Sequence, residues 1–212
     1  HKSKILQETS KAEILRTDLS SFFLDLALWG YEDIKEFKFL DYPPKEVQNS
    51  TNLVLQELQM LNEDNQITKF GKKSLTLGVH PRFAFMILRA NELGFAYEAC
   101  LLSAMLSEKD IFKNMSFNCD IYSRFLHLYE KDFDSAYINS HLAKTVLKQA
   151  EFFYGKLKNI DTINKITQKI NEEILSILLL LAYPDRLAKQ RGKNDTKYKL
   201  SNGKGAILNI ED

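Results

Sequence analysis

A mainly α-helical fold is what the sequence predicts, in two compact parts followed by the start of a small β element. Three observations predict it. Apolar residues recur at helical spacing through most of the 212 residues. Gly and Pro stand where helices should stop and start. Near the end, an Asn-Gly pair sits between two short runs that read as strands. The composition, 27% charged and 44% hydrophobic, is that of an ordinary globular protein with a core.

Asp18 can cap a helix that runs to Trp29 and ends at Gly30. Asp41-Tyr-Pro-Pro44 opens the next, where Val47, Thr51, Val54, Leu58 and Leu61 form one stripe. Asn62–Asn65 reads as a turn, Gln66–Lys69 as a short strand and Gly71–Leu77 as a short helix. Three helices and a hairpin-like wing in this length make a winged-helix plan, with a boundary near Gly78. Pro81 then opens a helix that Gly94 stops. Ala96–Leu106 is apolar nearly all round, as at the centre of a bundle. Asp120–Tyr129 is amphipathic. Ile138, Leu142, Val146, Ala150, Phe153 and Leu157 form one stripe, and Ile163, Ile166, Ile170, Ile174, Ile177 and Leu181 another. Two helices joined by a polar turn at Lys158–Asp161 should pack antiparallel.

From Tyr183 to Gly205 the character changes. Seven Lys/Arg stand against two Asp, a local charge of +5 in a chain whose net charge is +1. Gly192–Asp195 reads as a loop and Tyr198–Leu208 as a hairpin turning at Asn202-Gly203. A lone hairpin is marginal, so a truncated β domain is expected.

Several chemistries are excluded by pattern. Gly71-Lys-Lys-Ser74 resembles the tail of a phosphate-binding loop, but the earlier Gly would fall at Gln66. His80, His127 and His141 lack partners at metal-ligand spacing. No nucleophile elbow or Cys–His arrangement is visible. The cysteines, Cys100 in an apolar run and Cys119, give no disulfide framework, so a reducing, cytoplasmic setting is expected. The apolar run Ile174–Ala182 is far below the roughly 20 residues that span a bilayer. No signal peptide is visible, and the chain lacks an initiator Met, so it reads as a piece of something longer.

Three surfaces could meet nucleic acid. In the winged-helix plan, Lys45 stands against Glu46 and Glu57, and the wing carries Glu63 and Asp64; such a surface repels phosphate, and a packing role is favoured over DNA reading. Lys144 and Lys148 lie four residues apart, one turn beyond His141. They are either a solvated face or a phosphate-tracking one, with Phe152 and Tyr154 as possible stacking partners. The basic segment with Arg186, Lys189 and Arg191 is either a solubilising loop or a contact at the mouth of an oligonucleotide-binding barrel.

The motifs EILRTDL (13–19), LALWG (26–30), FLDYPP (39–44), ITKFGKKSLTLGVHPRFAFMIL (67–88), ACLLSAMLSEKD (99–110), LAYPDRLAKQRG (181–192) and YKLSNGKGAIL (198–208) occur in one order. Together they resemble the region after the motor domains of DEAH/RHA helicases, specifically the bacterial HrpB type. The resemblance covers nearly the whole chain. It implies a linker from a RecA-like motor (1–12), a winged helix (13–79), a ratchet-like helical bundle (80–182), and a basic segment opening a truncated OB-like domain (183–212). It also implies an ATP-dependent helicase as the parent, with RNA as the expected substrate and with ATP and Mg2+ held by the absent motor rather than by this chain. The expected partners are a single strand and the motor, with no membrane. The chain itself would have no catalytic residue. Arg16, Thr17 and Trp29 are expected at the junction with the motor, on a surface that also includes Tyr31 and Phe37. His80-Pro81-Arg82 matches a helix start. Where the family often has an arginine-rich ratchet helix, this chain has Lys144, Lys148 and Lys156, which meet phosphate as point charges. The alternatives are a protein-interaction scaffold using the winged helix and, less favoured, a DNA-binding regulator.

Overall fold

The computed structural model describes residues 14, 17–31, 34–36, 38–113, 120–166, 168–193 and 195–208. Arg16 and Phe37 lie outside the described residues. The chain divides into two compact units, His1–Pro81 and Arg82–Asp212.

In the first unit, α1 (Ser20–Leu28) begins one residue later than the sequence suggested. Leu19 is its N-cap, and Asp18 accepts the Ser20 N–H at 2.8 Å. His80 Nε2 lies 3.4 Å from the same carboxylate. The hydrogen bond with His80 holds Asp18 well below the usual carboxylate range; burial works against this, and the Ser20 bonds support it. At the other end Gly30 takes φ +84°, and the Gly30 and Tyr31 N–H groups return to Ala27 and Leu26. That left-handed closure is why Gly follows Trp29. Helix α2 (Lys45–Glu57) starts after Pro44 and buries Thr51 and Leu55, with Leu58 and Leu61 beyond it. Val47 and Val54 of the expected stripe are only half-buried. The expected strand Gln66–Lys69 is reduced to one antiparallel bridge, Leu61↔Ile67. Lys69 instead opens α3 (Lys69–Leu77), because the Thr68 hydroxyl caps it by accepting the Gly71 N–H at 2.9 Å.

In the second unit, α4 (Pro81–Glu92) and α5 (Ala96–Ser107) flank Gly94, at φ +87°. Every residue from Ala99 to Met105 is buried, so α5 is the bundle's central helix. Asp120 caps α6 (Ile121–Glu130), accepting the Tyr122 and Ser123 N–H groups. Helix α7 (Ser140–Ile160) packs on α5 through Ala143, Val146, Ala150, Phe153 and Leu157. The second expected stripe fails. Only Glu172–Ala182 (α8) is helical, with Asn171 accepting the Ile174 N–H. Residues 161–166 and 168–171 form no helix, and among the described residues no antiparallel pair with α7 arises from a Lys158–Asp161 turn. The buried Asn91 side chain holds this strap by donating to the Thr162 carbonyl (2.9 Å) and accepting from the Asn164 N–H (3.1 Å).

Arg124 is buried at the start of α6, where it makes a two-pronged pair with Asp110 (2.9 and 2.7 Å) and lies 4.6 Å over the Phe112 ring. Burial opposes ionisation of Asp110. The Arg124 hydrogen bonds, the Phe112 N–H and the Arg124 charge outweigh it and hold the carboxyl below its usual range. Its folded pKa is thus below the unfolded value of about 3.9, so its stabilisation is complete above about pH 5 and lost as pH falls through the folded pKa. Urea midpoints at pH 7 and about pH 3 should differ less in Asp110→Asn than in the wild type.

The chain ends in a three-stranded antiparallel meander, β1 (Ala188–Gln190), β2 (Lys197–Leu200) and β3 (Gly205–Ile207). The expected hairpin is β2–β3, turning with Gly203 at φ +85°. Strand β1 is additional to it.

Candidate nucleic-acid interface

The meander's register sorts its side chains by charge. Lys189 is paired directly with Lys199, and the Arg191 N–H bonds the Lys197 carbonyl at 2.9 Å. Side chains alternate along a strand, so Lys189, Arg191, Lys197 and Lys199 share one face. Tyr198 and Leu200, both half-buried, belong to the other. Gly205 lies opposite Lys199 on the cationic face, and Arg191 reaches across β2 towards it: a methyl added at Gly205 would meet Arg191 Nη2 at 3.6 Å. Like charges directly opposed destabilise a sheet unless an anion lies between them. None of the four cations has an ion-pair partner among the described residues. The neighbouring carboxylates are engaged elsewhere: Asp185 with Arg82 and Asp195 with the Lys197 N–H.

The meander is tied to the helices at Tyr183. Arg82 donates to the Ala182 carbonyl (3.1 Å) and to Asp185 (2.6 Å), and its guanidinium lies 5.5 Å over the Tyr183 ring. Arg186 covers the same ring at 4.4 Å. The hairpin turn returns to this point: Ser201 donates from its hydroxyl to the Pro184 carbonyl and from its N–H to the Leu187 carbonyl, both at 2.8 Å. Arg186 is exposed but held by its ring, whereas Lys189 and Arg191 project freely from the sheet.

On α7, Lys144 and Lys148 are exposed and four residues apart, so they lie in line with Phe152, which is 58% exposed. Lys156 Nζ is 4.8 Å from the centre of the Phe152 ring. Tyr154 is not available for stacking in the same way. It packs edge-on against Tyr97 of α5 at 5.5 Å, under Lys158. Desolvation, then the charge of Glu151, pushes Tyr97 up to about 12.

In the first unit, Thr17 is exposed and Trp29 is 63% exposed, with Leu28, Leu40, Tyr42 and Leu53 also uncovered. Burial drives the Cys100 thiol up, which keeps it protonated and a poor nucleophile near neutral pH. No helix among the described residues is long and apolar enough to cross a membrane.

Lys197 and Lys199 were not among the residues singled out from sequence. The signal was present as the Lys-Tyr-Lys-Leu alternation, but its face acquires meaning only beside β1. Over 203 residues, 96% of its length, the chain is 28% identical to the ATP-dependent RNA helicase HrpB of Escherichia coli (strain K12). The chain is homologous to HrpB. It spans 22% of that protein. A crystal structure of the E. coli DEAH/RHA helicase HrpB superposes with a TM-score of 0.71 at 28% identity, covering 94% of this chain and 22% of that one. A second, of the E. coli DExH-box NTPase HrpB, gives 0.67 with the same coverage. The ATP-dependent RNA helicase HrpA of E. coli (strain K12) is 36% identical over 109 residues, 49% of this chain and 8% of that protein. No family model matches the chain.

Proposed function

We propose that the chain is an accessory region of an ATP-dependent RNA helicase that holds a single strand without chemistry of its own. In this reading ATP and Mg2+ belong to RecA-like motor domains elsewhere in the longer protein. The first unit acts as a winged helix that packs on the motor, with Arg16, Thr17 and Trp29 at the junction. The helices of the second unit act as a ratchet-like wall of the strand channel, and the meander opens an OB-like domain. The single observation that carries strand contact is the segregation of four unpaired cations onto one face of the meander. A face whose polar side chains are all Lys and Arg, with Ile207 beside Lys197, contacts backbone phosphate and reads no base, which suits an enzyme that must move along any sequence. The line Lys144–Lys148–Phe152 adds phosphate contacts and one ring for stacking.

Anisotropy of a labelled single-stranded RNA, titrated with the chain at several salt concentrations, tests this. Each phosphate contact contributes about 0.7 to the log–log salt slope for a single strand. Lys189→Glu with Lys199→Glu should therefore weaken binding and lower the slope by about 1.4. Lys144→Glu with Lys148→Glu should do the same if α7 lines the channel. Unchanged affinity and slope in both double variants would remove the strand-contact reading.

A further inference from the structure

Helix α7 carries a residue that its own packing does not explain. Gly155 stands five residues before the helix ends, in an interior position where only proline is less favourable. Its φ is not left-handed, so the backbone does not require glycine. Packing does not require it either. At Gly71, the other glycine inside a helix, an added Cβ would collide with the Met60 carbonyl; at Gly155 no described atom lies within 4 Å of that position. An alanine would fit here and would favour the helix. Glycine in such a place is the residue that lets a ligand come close to the backbone.

At 3.6 residues per turn, Gly155 continues the line of Lys144 and Lys148, eleven and seven residues before it. This side of α7 is turned away from the buried stripe Val146, Ala150, Phe153 and Leu157. The side chains around Gly155 are drawn aside in two pairs. On one flank Lys156 Nζ lies 4.8 Å from the centre of the Phe152 ring. On the other, Lys158 Nζ lies 4.8 Å from the centre of the Tyr154 ring, which is itself held edge-on by Tyr97. The single carboxylate of α7, Glu151, accepts from the Tyr97 hydroxyl on that second flank. A notch one residue wide is left, floored by the helix backbone, with a ring and an ammonium on each side.

On the strand contact proposed above, and dependent on it, we infer that this notch seats one phosphodiester of a single strand against α7. Lys156 and Lys158 close on the phosphate as point charges, and the Phe152 ring takes the adjoining base. A cation–ring contact at an exposed site is weak, so a phosphate can draw both ammoniums off their rings. That movement clears a face of Phe152, which is 58% exposed. Lys144 and Lys148 alone would hold a strand beside the helix; the missing side chain at Gly155 brings the strand onto the helix surface, within reach of the ring.

Filling the notch tests it, because stability and binding should move in opposite directions. Gly155→Ala should raise the melting temperature by about 2–4 °C and weaken binding of a labelled single-stranded RNA about threefold. Gly155→Leu should fold, which melting curves check, and should weaken binding about tenfold or more. Its log–log salt slope should fall by about 0.7, the loss of one phosphate contact. Lys156→Gln with Lys158→Gln should lower the slope by the same amount, and adding Gly155→Leu to that pair should bring no further loss, since both remove one contact. If Gly155→Leu does not fold, Gly155→Ala carries the comparison. Wild-type affinity in the Gly155 variants, a lowered melting temperature in Gly155→Ala, or additive losses in the combined variant overturns the notch. Binding weakened by Lys144→Glu with Lys148→Glu, or by Lys189→Glu with Lys199→Glu, but untouched by Gly155→Leu removes the notch and leaves strand contact standing. No binding of the RNA by the wild type removes both.

Discussion

Replacing Asn91 by leucine is expected to destabilise the second unit by about 2–4 kcal/mol. Asn91 is 1% exposed at the end of α4, and its amide serves two backbone groups more than seventy residues away in sequence, the Thr162 carbonyl and the Asn164 N–H. Leucine removes both bonds and leaves both groups facing an apolar side chain. An unsatisfied buried group costs about 1–3 kcal/mol, and partial hydration of the loosened strap sets the lower figure. Beyond Asn91, the strap is anchored at its ends, by the Asp161 N–H on the Leu157 carbonyl and by buried Ile170. Ile166 rests on Gly94, where an added Cβ would meet its Cγ2 at 2.7 Å, yet Ile166 itself is largely exposed. Hydrogen exchange should show the Asn164 amide losing protection, and urea unfolding should shift to lower concentration. Wild-type protection at Asn164 in the variant would mean that the strap is held by something other than Asn91.

A comparably large loss is expected from Gly71→Ala, in the first unit. Local reasoning points the other way, since alanine in a helix is favoured over glycine by about 1 kcal/mol. Geometry reverses the sign. A Cβ at Gly71 would collide with the Met60 carbonyl oxygen and lie 2.9 Å from Ile67 Cγ1. The oxygen is backbone, already accepting the Thr68 N–H, and Thr68 is itself fixed by donating to the Gln59 carbonyl at 2.7 Å. Nothing there is a free-swinging side-chain end. Overpacking of this kind costs about 1–3 kcal/mol or more, enough to outweigh the propensity gain. Amide exchange should accelerate around Met60–Leu77 while α5 and α7 keep their protection. A variant as stable as the wild type would show that the α2–α3 turn yields.

What the sequence made legible was what is decided locally. Gly30, Gly78 and Gly94 stop helices because each takes a left-handed φ, and Pro81 and Asp120 start them. The uniform apolarity of 96–106 marked the central helix because it faces neighbours on all sides. The isoleucines from Ile163 to Ile170 misled, since their spacing fits a helix and the residue that holds them straight, Asn91, belongs to another element. Asn171 followed by Glu172 and Glu173 was the available sign of the true start, a cap with acidic residues in the first turn. Lys144 and Lys148 could be placed on one face from spacing alone. The cationic face of the meander could not, because it rests on β1, three residues with no pattern of their own.

Trp29 is the chain's one tryptophan, and it sits half-turned into water at the end of α1. The second unit absorbs and emits through tyrosine alone. Selective excitation of the indole therefore reports on the first unit without labelling, and a blue shift with loss of quencher access would mark the moment when another surface covers it.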